Sequence, residues 1–273
     1  MTMRTLRSFF NNTLAVIICV VIMAPIYLVF VNSLKTKVEA SSMGVELPAL
    51  PQWQNFSTVI QMGKLATTFG NSLIYAIGAT LLGATLSALA AYVLSRNRTK
   101  FNRAIYFLII MGIAMPANFV TLTKVMQLSH LVNTQIGIII LYAATHIPIN
   151  VFLIYAFIQT LPIELDEAAI IDGASPLELF TNIIFPLLRP VLVTVSVLNL
   201  LDFWNEFILP LYYLNRTENW PMTLAVYNFF GQYQSNWSLV SADIVLTILP
   251  VIFIYLFAQR YILSGWTAGA VKG

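Results

Sequence analysis

Charge is what this sequence has least of. Only 9% of its 273 residues are Asp, Glu, Lys or Arg, while 59% are hydrophobic. Roughly a quarter of the residues in a soluble domain are charged, so an ordinary water-soluble protein is excluded. Cysteine is almost missing: Cys19 stands alone, and disulfides play no part. Histidine is nearly as scarce, and His130 and His146 are too few and too far apart for a metal site. No Gly-x4-Gly-Lys-Ser/Thr run occurs, so this chain is not itself an ATPase of the phosphate-loop type. No serine or cysteine stands in a recognisable nucleophile motif. Nothing here speaks for catalytic residues or for a cofactor bound by the chain itself.

Long apolar runs, in contrast, are abundant. Six have membrane-spanning length or nearly so: Leu14–Val31, Ser72–Leu94, Ala104–Leu122, Ile136–Phe157, Val191–Leu214 and Ile244–Ile262. Arg4 and Arg7 precede the first as in a signal peptide, but the run is too long for a secretory core and no clean cleavage site follows. A retained helix is expected. The sequence pI of 9.0 would suit nucleic acid, yet the bases form short clusters flanking the spans, the pattern of membrane topology. With both termini cytoplasmic, Arg4, Arg7, Arg96, Arg98, Lys100, Arg103, Arg189, Arg260 and Lys272 lie inside, and Lys35, Lys37, Lys64, Lys124 and Arg216 outside. The fold expected is an all-α membrane protein of six transmembrane helices with both termini cytoplasmic. Residues 33–70, with Pro48, Pro51 and Trp53, are too polar to span and should lie over the outer face. Ala79, Gly83, Ser87 and Ala91 make a ridge of small residues on which a neighbouring helix can pack closely. Pro116 and Pro148 fall inside the third and fourth spans, the former as a packing kink.

One polar, patterned stretch interrupts the apolar chain between the fourth and fifth spans, residues 162–190. Five acids (Glu164, Asp166, Glu167, Asp172, Glu178) precede a single base, Arg189. Ile163 to Asp172 favours a helix, Gly173 permits the positive φ that ends one, and Ser175-Pro176 starts another with Glu178 in its first turn. Two short helices at an angle on a membrane surface make a shape for docking another protein. Glu167-Ala168-Ala169, then Gly173, then an apolar run to Pro186, resembles the "EAA" loop of ABC-importer membrane subunits. The resemblance implies a coupling helix, formed around Glu167, Ala168, Ala169, Asp172, Gly173 and Pro186, that sits in a groove of a separate ATP-hydrolysing subunit.

In the fifth span, Asn199, Asp202, Phe203 and Glu206 fall at i, i+3, i+4 and i+7, one face of a helix. A carboxylate near the bilayer midplane costs about 2.5–3.5 kcal/mol on insertion scales, so this face should meet protein or water. Two readings stand: a substrate path, or hydrogen bonding between helices. The first is preferred because intramembrane acids are functional by default. Tyr142, Thr145, His146 and Ile149 in the fourth span repeat the spacing beside Pro148. Phe203-Trp204-Asn205-Glu206-Phe207 and Pro210 resemble the segment that follows the EAA loop in carbohydrate-importer permeases of the maltose type, where this face lines the translocation path. Hydroxyl, imidazole, amide and carboxylate groups among aromatics suit a sugar, with its OH groups and apolar ring faces.

The resemblance extends to both ends of this region. Residues 215–240 match an external loop that in that family reaches into the cleft of the solute-binding protein. Gly265-Trp-Thr267-Ala-Gly269-Ala-Val-Lys272-Gly273 resembles the family's C-terminal tail, which in relatives inserts between the ATPase subunits. The whole implies the type I ABC importer fold: a single permease domain over 1–273 with a core at 68–262, the coupling loop at 162–190 and a tail at 263–273. It implies a carbohydrate importer of a bacterial or archaeal cell membrane. Partners would be a second permease subunit, two copies of an ATPase that uses ATP and Mg, an extracytoplasmic binding protein and lipid, without nucleic acid. The rivals are an importer of another polar solute and an ion-coupled carrier using Asp202 and Glu206. The EAA loop and the tail, for which an ion-driven carrier has no use, separate the last from the rest.

Overall fold

The computed structural model describes residues 3–230 and 235–270. Among them there are helices and no strands: α1 (Met3–Ser33), α2 (Lys37–Ala40), α3 (Gln54–Met62), α4 (Leu65–Arg96), α5 (Lys100–Ala114), α6 (Phe119–Leu128), α7 (Gln135–Ile158), α8 (Glu164–Ile171), α9 (Pro176–Glu178), a π-helical segment (Leu179–Ile184), α10 (Phe185–Leu187), α11 (Arg189–Asn205), α12 (Ile208–Tyr213), α13 (Met222–Ala225) and α14 (Trp237–Ala270), with single 3₁₀ turns at Thr217–Asn219 and Val226–Phe229. Four described helices are long and apolar enough to cross a membrane: Phe10–Ser33 of α1, α4, α7, and Trp237–Phe257 of α14. A fifth crossing exists if Pro176–Leu187 and Arg189–Asn205, bent by 73°, count as one.

Two of the six expected runs, Ala104–Leu122 and Val191–Leu214, are not single helices, and proline is the reason. The expected Ala104–Leu122 helix stops at Ala114. Met115 turns extended, with ψ 121°, the conformation that a following proline favours. Asn118 then caps α6 by accepting from the Thr121 N–H at 3.1 Å. Pro116 is thus a helix break rather than a kink. The expected Val191–Leu214 helix also breaks, after Asn205, because Pro210 has no N–H for the Glu206 carbonyl and its ring would strike that carbonyl. Pro148 behaves differently and stays within a continuous α7.

The chain divides into two compact units, residues 1–68 with 222–250 and residues 69–221 with 251–273. In the first, α1 leaves its apolar surface almost wholly uncovered, only 6% of its span window being buried, as suits a lipid-facing helix. Val59, Phe229, Val240 and Ala242 make the core there. Asp243 is buried beside it at 1% exposure, an acid that the sequence analysis missed by starting its last span at Ile244.

The second unit holds two apolar clusters. One joins Ala84, Ala88 and Ala91 of α4 to Val151, Ile154 and Ile158 of α7 and to Phe180, Ile184 and Leu188. The other joins Tyr75, Ala76 and Ala79 to Leu141, Tyr142, Phe203, Leu209 and Tyr213. Ala79, Ser87 and Ala91 are fully buried, so the small-residue ridge does carry the close packing of α4. A Cβ on Gly83 would meet Ala143 at 3.5 Å, an ordinary contact, whereas one on Gly112 would meet the Pro148 ring at 2.9 Å.

These two glycines separate packing from propensity. Gly83→Ala should be neutral or stabilising by up to about 1 kcal/mol through helix propensity. Gly112→Ala should instead cost about 1–3 kcal/mol, since a rigid ring cannot move aside cheaply. Thermal unfolding of the detergent-solubilised variants, followed by size-exclusion recovery, checks this; equal recoveries would contradict the α5–α7 contact.

Candidate functional site

The polar loop folds from its own local chemistry. Glu164, Asp166 and Glu167 occupy the first turn of α8, where the helix dipole favours acids. Gly173 takes φ +82° with open space around it, so backbone conformation alone demands glycine there. The Ala174 N–H closes the turn on the Ala169 carbonyl at 3.0 Å. Ser175 and Glu178 then form a capping box around Pro176. The Ser175 hydroxyl and N–H both donate to Glu178 Oε2, at 2.7 and 2.8 Å. These hydrogen bonds, the hydroxyl's first, hold the Glu178 carboxyl below its ordinary value of 4.5. The cap is thus complete above that value and is lost as the pH falls through the lowered one. Next comes the π-helical turn, where the Phe185 N–H reaches back five residues to the Phe180 carbonyl. Pro186, which cannot donate to Asn182, explains why the chain widens there.

What fixes this loop to the rest is an ion pair the sequence analysis did not find. Asp166 points inward, its side chain 9% exposed, and pairs with Arg96 at 3.0 Å. The Tyr92 hydroxyl donates to Asp166 Oδ1 at 2.7 Å, and the Arg96 guanidinium also donates to the Leu161 carbonyl at 3.3 Å. Three residues from the end of α4 and the start of α8 thus form one knot. Ala169, Leu179, Phe180 and Ile184 bury the same side of the loop. Of the loop residues expected to couple, Ala169 is therefore core, while Glu167, Ala168, Asp172, Gly173 and Pro186 are exposed. Beside them Ile163, Ile170, Ile171 and Leu177 are exposed as well, Ile171 at 84%. The outward face is apolar patches among acids, without a covering among the described residues.

The polar stripe is rearranged by the break after Asn205. Glu206 leaves the helix with extended backbone, and its carboxylate turns forward to accept from the N–H groups of Ile208 and Leu209 at 2.7 and 3.0 Å, capping α12. Asp202 remains on α11 with its side chain 66% exposed and meets His146 Nε2 at 3.4 Å. Phe203 is buried, stacked on Tyr142 at 5.1 Å and edge-on to His146 at 4.4 Å. Thr145 donates to the Tyr142 carbonyl and lies 3.2 Å from His146 Nδ1. His146, Asp202, Asn205, Glu206, Phe207 and Ile208 line an open recess of about 540 Å³. Asn199, Phe203, Tyr142, Thr145 and Ile149 are not among its lining residues, and Asn199 is buried at 1% exposure. The three lining residues missed from sequence, Asn205, Phe207 and Ile208, follow from the break that Pro210 signals.

On the far side of the same unit, Asn133 and Asn71 hold the 214–221 loop. Asn133 Oδ1 accepts from the Asn215 and Arg216 N–H groups, both at 3.0 Å. Asn71 Nδ2 donates to the Glu218 and Trp220 carbonyls at 2.7 and 3.0 Å. At the C-terminus α14 continues through Gly265, Thr267 and Gly269 to Ala270; Lys272 lies outside the described residues.

Comparison with known proteins gives a consistent picture. Residues 81–267 match the family described as "Binding-protein-dependent transport system inner membrane component". The chain is 33% identical over 268 residues, 97% of each chain, to the probable starch degradation products transport system permease protein AmyC of Thermoanaerobacterium thermosulfurigenes. It is 35% identical over 273 residues, 99% of each chain, to the melibiose/raffinose/stachyose import permease protein MelC of Bacillus subtilis (strain 168). Its fold is similar to a chain of a bacterial ABC transporter that imports the acidic polysaccharide alginate, with TM-score 0.82, 23% identity and coverage of 96% and 99%.

The Arg96–Asp166 knot generates a prediction. Removing one partner of a buried pair costs about 3–5 kcal/mol because the other charge is stranded. Asp166→Asn or Arg96→Ala should therefore speed amide exchange across α8 by about 100-fold or more, at 1.4 kcal/mol per tenfold. The swap Arg96→Asp with Asp166→Arg should recover part of the protection. Hydrogen exchange resolved by mass spectrometry reads it, with α7 as the unaffected control. Unchanged exchange in α8 would show that apolar burial alone holds the loop.

Proposed function

The chain belongs to the family of binding-protein-dependent transport system inner membrane components, and on that premise we propose that it is the permease subunit of an ATP-driven importer of sugars, oligosaccharides among them. The observation that carries the reading is the α8–α9 loop. Its inner side is bound to α4 and the core, and its outer side offers Glu167, Asp172, Ile170 and Ile171 to a separate protein. An ATPase groove with basic and apolar walls fits that face. ATP and Mg are used in that partner, which supplies the hydrolysis that this chain has no phosphate loop to perform.

The geometry suggests how force would travel. Closure of two ATPase subunits pushes on α8 and α9. The Arg96–Asp166 pair passes the push to α4, and the π-helical turn with α10 passes it round the 73° bend into α11. The far end of α11 carries Asp202 and Asn205 at the recess, so motion of the loop becomes motion of the recess wall. Alternating access then follows from rocking against a second permease subunit. Carboxylate, imidazole and amide groups beside Phe207 and Ile208 offer a sugar both hydrogen bonds and an apolar face. The loop faces the cytoplasm in this reading, with both termini on that side. A solute-binding protein delivers sugar at the opposite face of a bacterial or archaeal cell membrane.

Reversing the charge at the outward face tests the coupling. Glu167→Lys should leave the subunit inserted and folded while cutting sugar transport at least about tenfold, the effect of losing one contact of roughly 1.4 kcal/mol at the interface. Proteoliposomes holding the ATPase and binding protein read uptake and hydrolysis together. Full sugar-stimulated uptake by the variant would remove the loop from the coupling route. Asp202→Ala should instead alter the KM for sugar and leave basal hydrolysis unchanged; an unaltered KM would take the recess out of the substrate path.

A further inference from the structure

Residues 33–70 were expected to lie over the outer face, but the first part of that segment, residues 36–53, does not simply cap α1; these residues form an excursion along it. They leave the helix end, descend beside it and return. Both ends of the excursion are stapled at the helix mouth: the Gln52 N–H donates to the Leu34 carbonyl at 2.8 Å, and Asn55 Nδ2 donates to the Ser33 and Lys35 carbonyls at 2.8 and 2.9 Å. The middle of the excursion lies deeper. The Gly44 carbonyl accepts from Asn32 Nδ2 at 3.0 Å, and the same amide also donates to Leu28 O, one turn further down the helix. Lys35 Nζ, buried, adds a second bond to Gly44 O at 2.7 Å. The Val45 carbonyl accepts from the Tyr27 hydroxyl at 3.1 Å.

Tyr27 is six residues before the end of α1, about 9 Å at 1.5 Å per residue. Its hydroxyl and the Asn32 amide between them hold Gly44 and Val45 alongside the final turns of α1, against the end of the apolar run. Val45 there, and Leu47, Leu50 and Trp53 on the return towards the helix end, are all exposed, from 59 to 75%. They continue the uncovered apolar surface of Tyr27 and Phe30 on α1. Pro48 and Pro51 take two backbone N–H donors out of the segment, which lowers the cost of leaving water. We propose that residues 44–53 form a hook that dips into the headgroup–acyl boundary of the bilayer beside α1, with lipid as its partner. Trp53 and Tyr27 suit that boundary, where amphipathic rings collect, and Glu46 stays at headgroup level, where water reaches it. The hook anchors the C-terminal end of α1, a helix that its own unit otherwise leaves almost bare.

Spin labels decide the matter without disturbing the fold, because the side chains replaced are exposed. In a Cys19→Ser background, Leu47→Cys and Leu50→Cys are labelled in the full chain reconstituted in phosphatidylethanolamine–phosphatidylglycerol vesicles, with Ser41→Cys as the water-facing control. Accessibility to oxygen, which concentrates in lipid, is compared with that to a water-soluble nickel chelate. Labels at 47 and 50 should favour oxygen several-fold, and the label at 41 should favour nickel. Nickel access at 47 and 50 would make the segment a water-exposed loop and overturn the proposal. Shielding from both reagents would assign the surface to a protein partner and overturn it equally.

Discussion

One buried ion pair decides what the polar loop is able to do. A surface loop between two membrane helices would ordinarily be free to flex, and a push on it would be absorbed. Here Asp166 is drawn under the loop onto Arg96, and Tyr92 occupies the carboxylate's other oxygen. Such a pair adds little net stability, because desolvation offsets the attraction, but breaking it is expensive and its geometry is specific. Those properties suit a joint that must carry displacement without contributing much to folding. The outward acids and isoleucines of α8 can then be spent on a partner, since none is needed to hold the loop in place.

Proline supplies the second constraint. At Pro116, Pro186 and Pro210 a helix that composition alone would draw straight is ended, widened or redirected. The break at Pro210 matters most, because it turns Glu206 from a stripe residue into the cap of α12 and opens the end of α11 onto the recess. A redirected helix end has backbone groups that must find partners in an apolar surrounding. The carboxylate of Glu206 meets two of them. An acid in the membrane thus has a structural task as well as a place at the recess.

The parts legible in the sequence are those written in neighbouring residues. The turn at Gly173, the capping box of Ser175 and Glu178, and the small-residue ridge of α4 all follow from local chemistry, and the structure contains each. The spacing of Glu167, Ala168, Ala169, Gly173 and Pro186 was enough to place the chain in its family. Contacts between distant positions were not legible: Tyr92 and Asp166 are 74 residues apart, and Arg96 was weighed only as a topology signal. Periodicity also misled in the fifth span, because a spacing of i, i+3, i+4, i+7 describes a face only while the helix lasts. The missing donor at Pro210 was the available sign that it would not.

The central claim is that α8 and the end of α4 move as one body while the transporter works. A short bifunctional thiol cross-linker between Arg96→Cys and Asp166→Cys, in a chain without Cys19, tests it most directly by replacing the ion pair with a covalent bridge. Transport in proteoliposomes with the partner ATPase and binding protein should then exceed that of the same double variant left uncross-linked. If cross-linking abolishes the remaining transport and cleaving the linker restores it, the two elements separate during the cycle, and the pair is a latch rather than a joint.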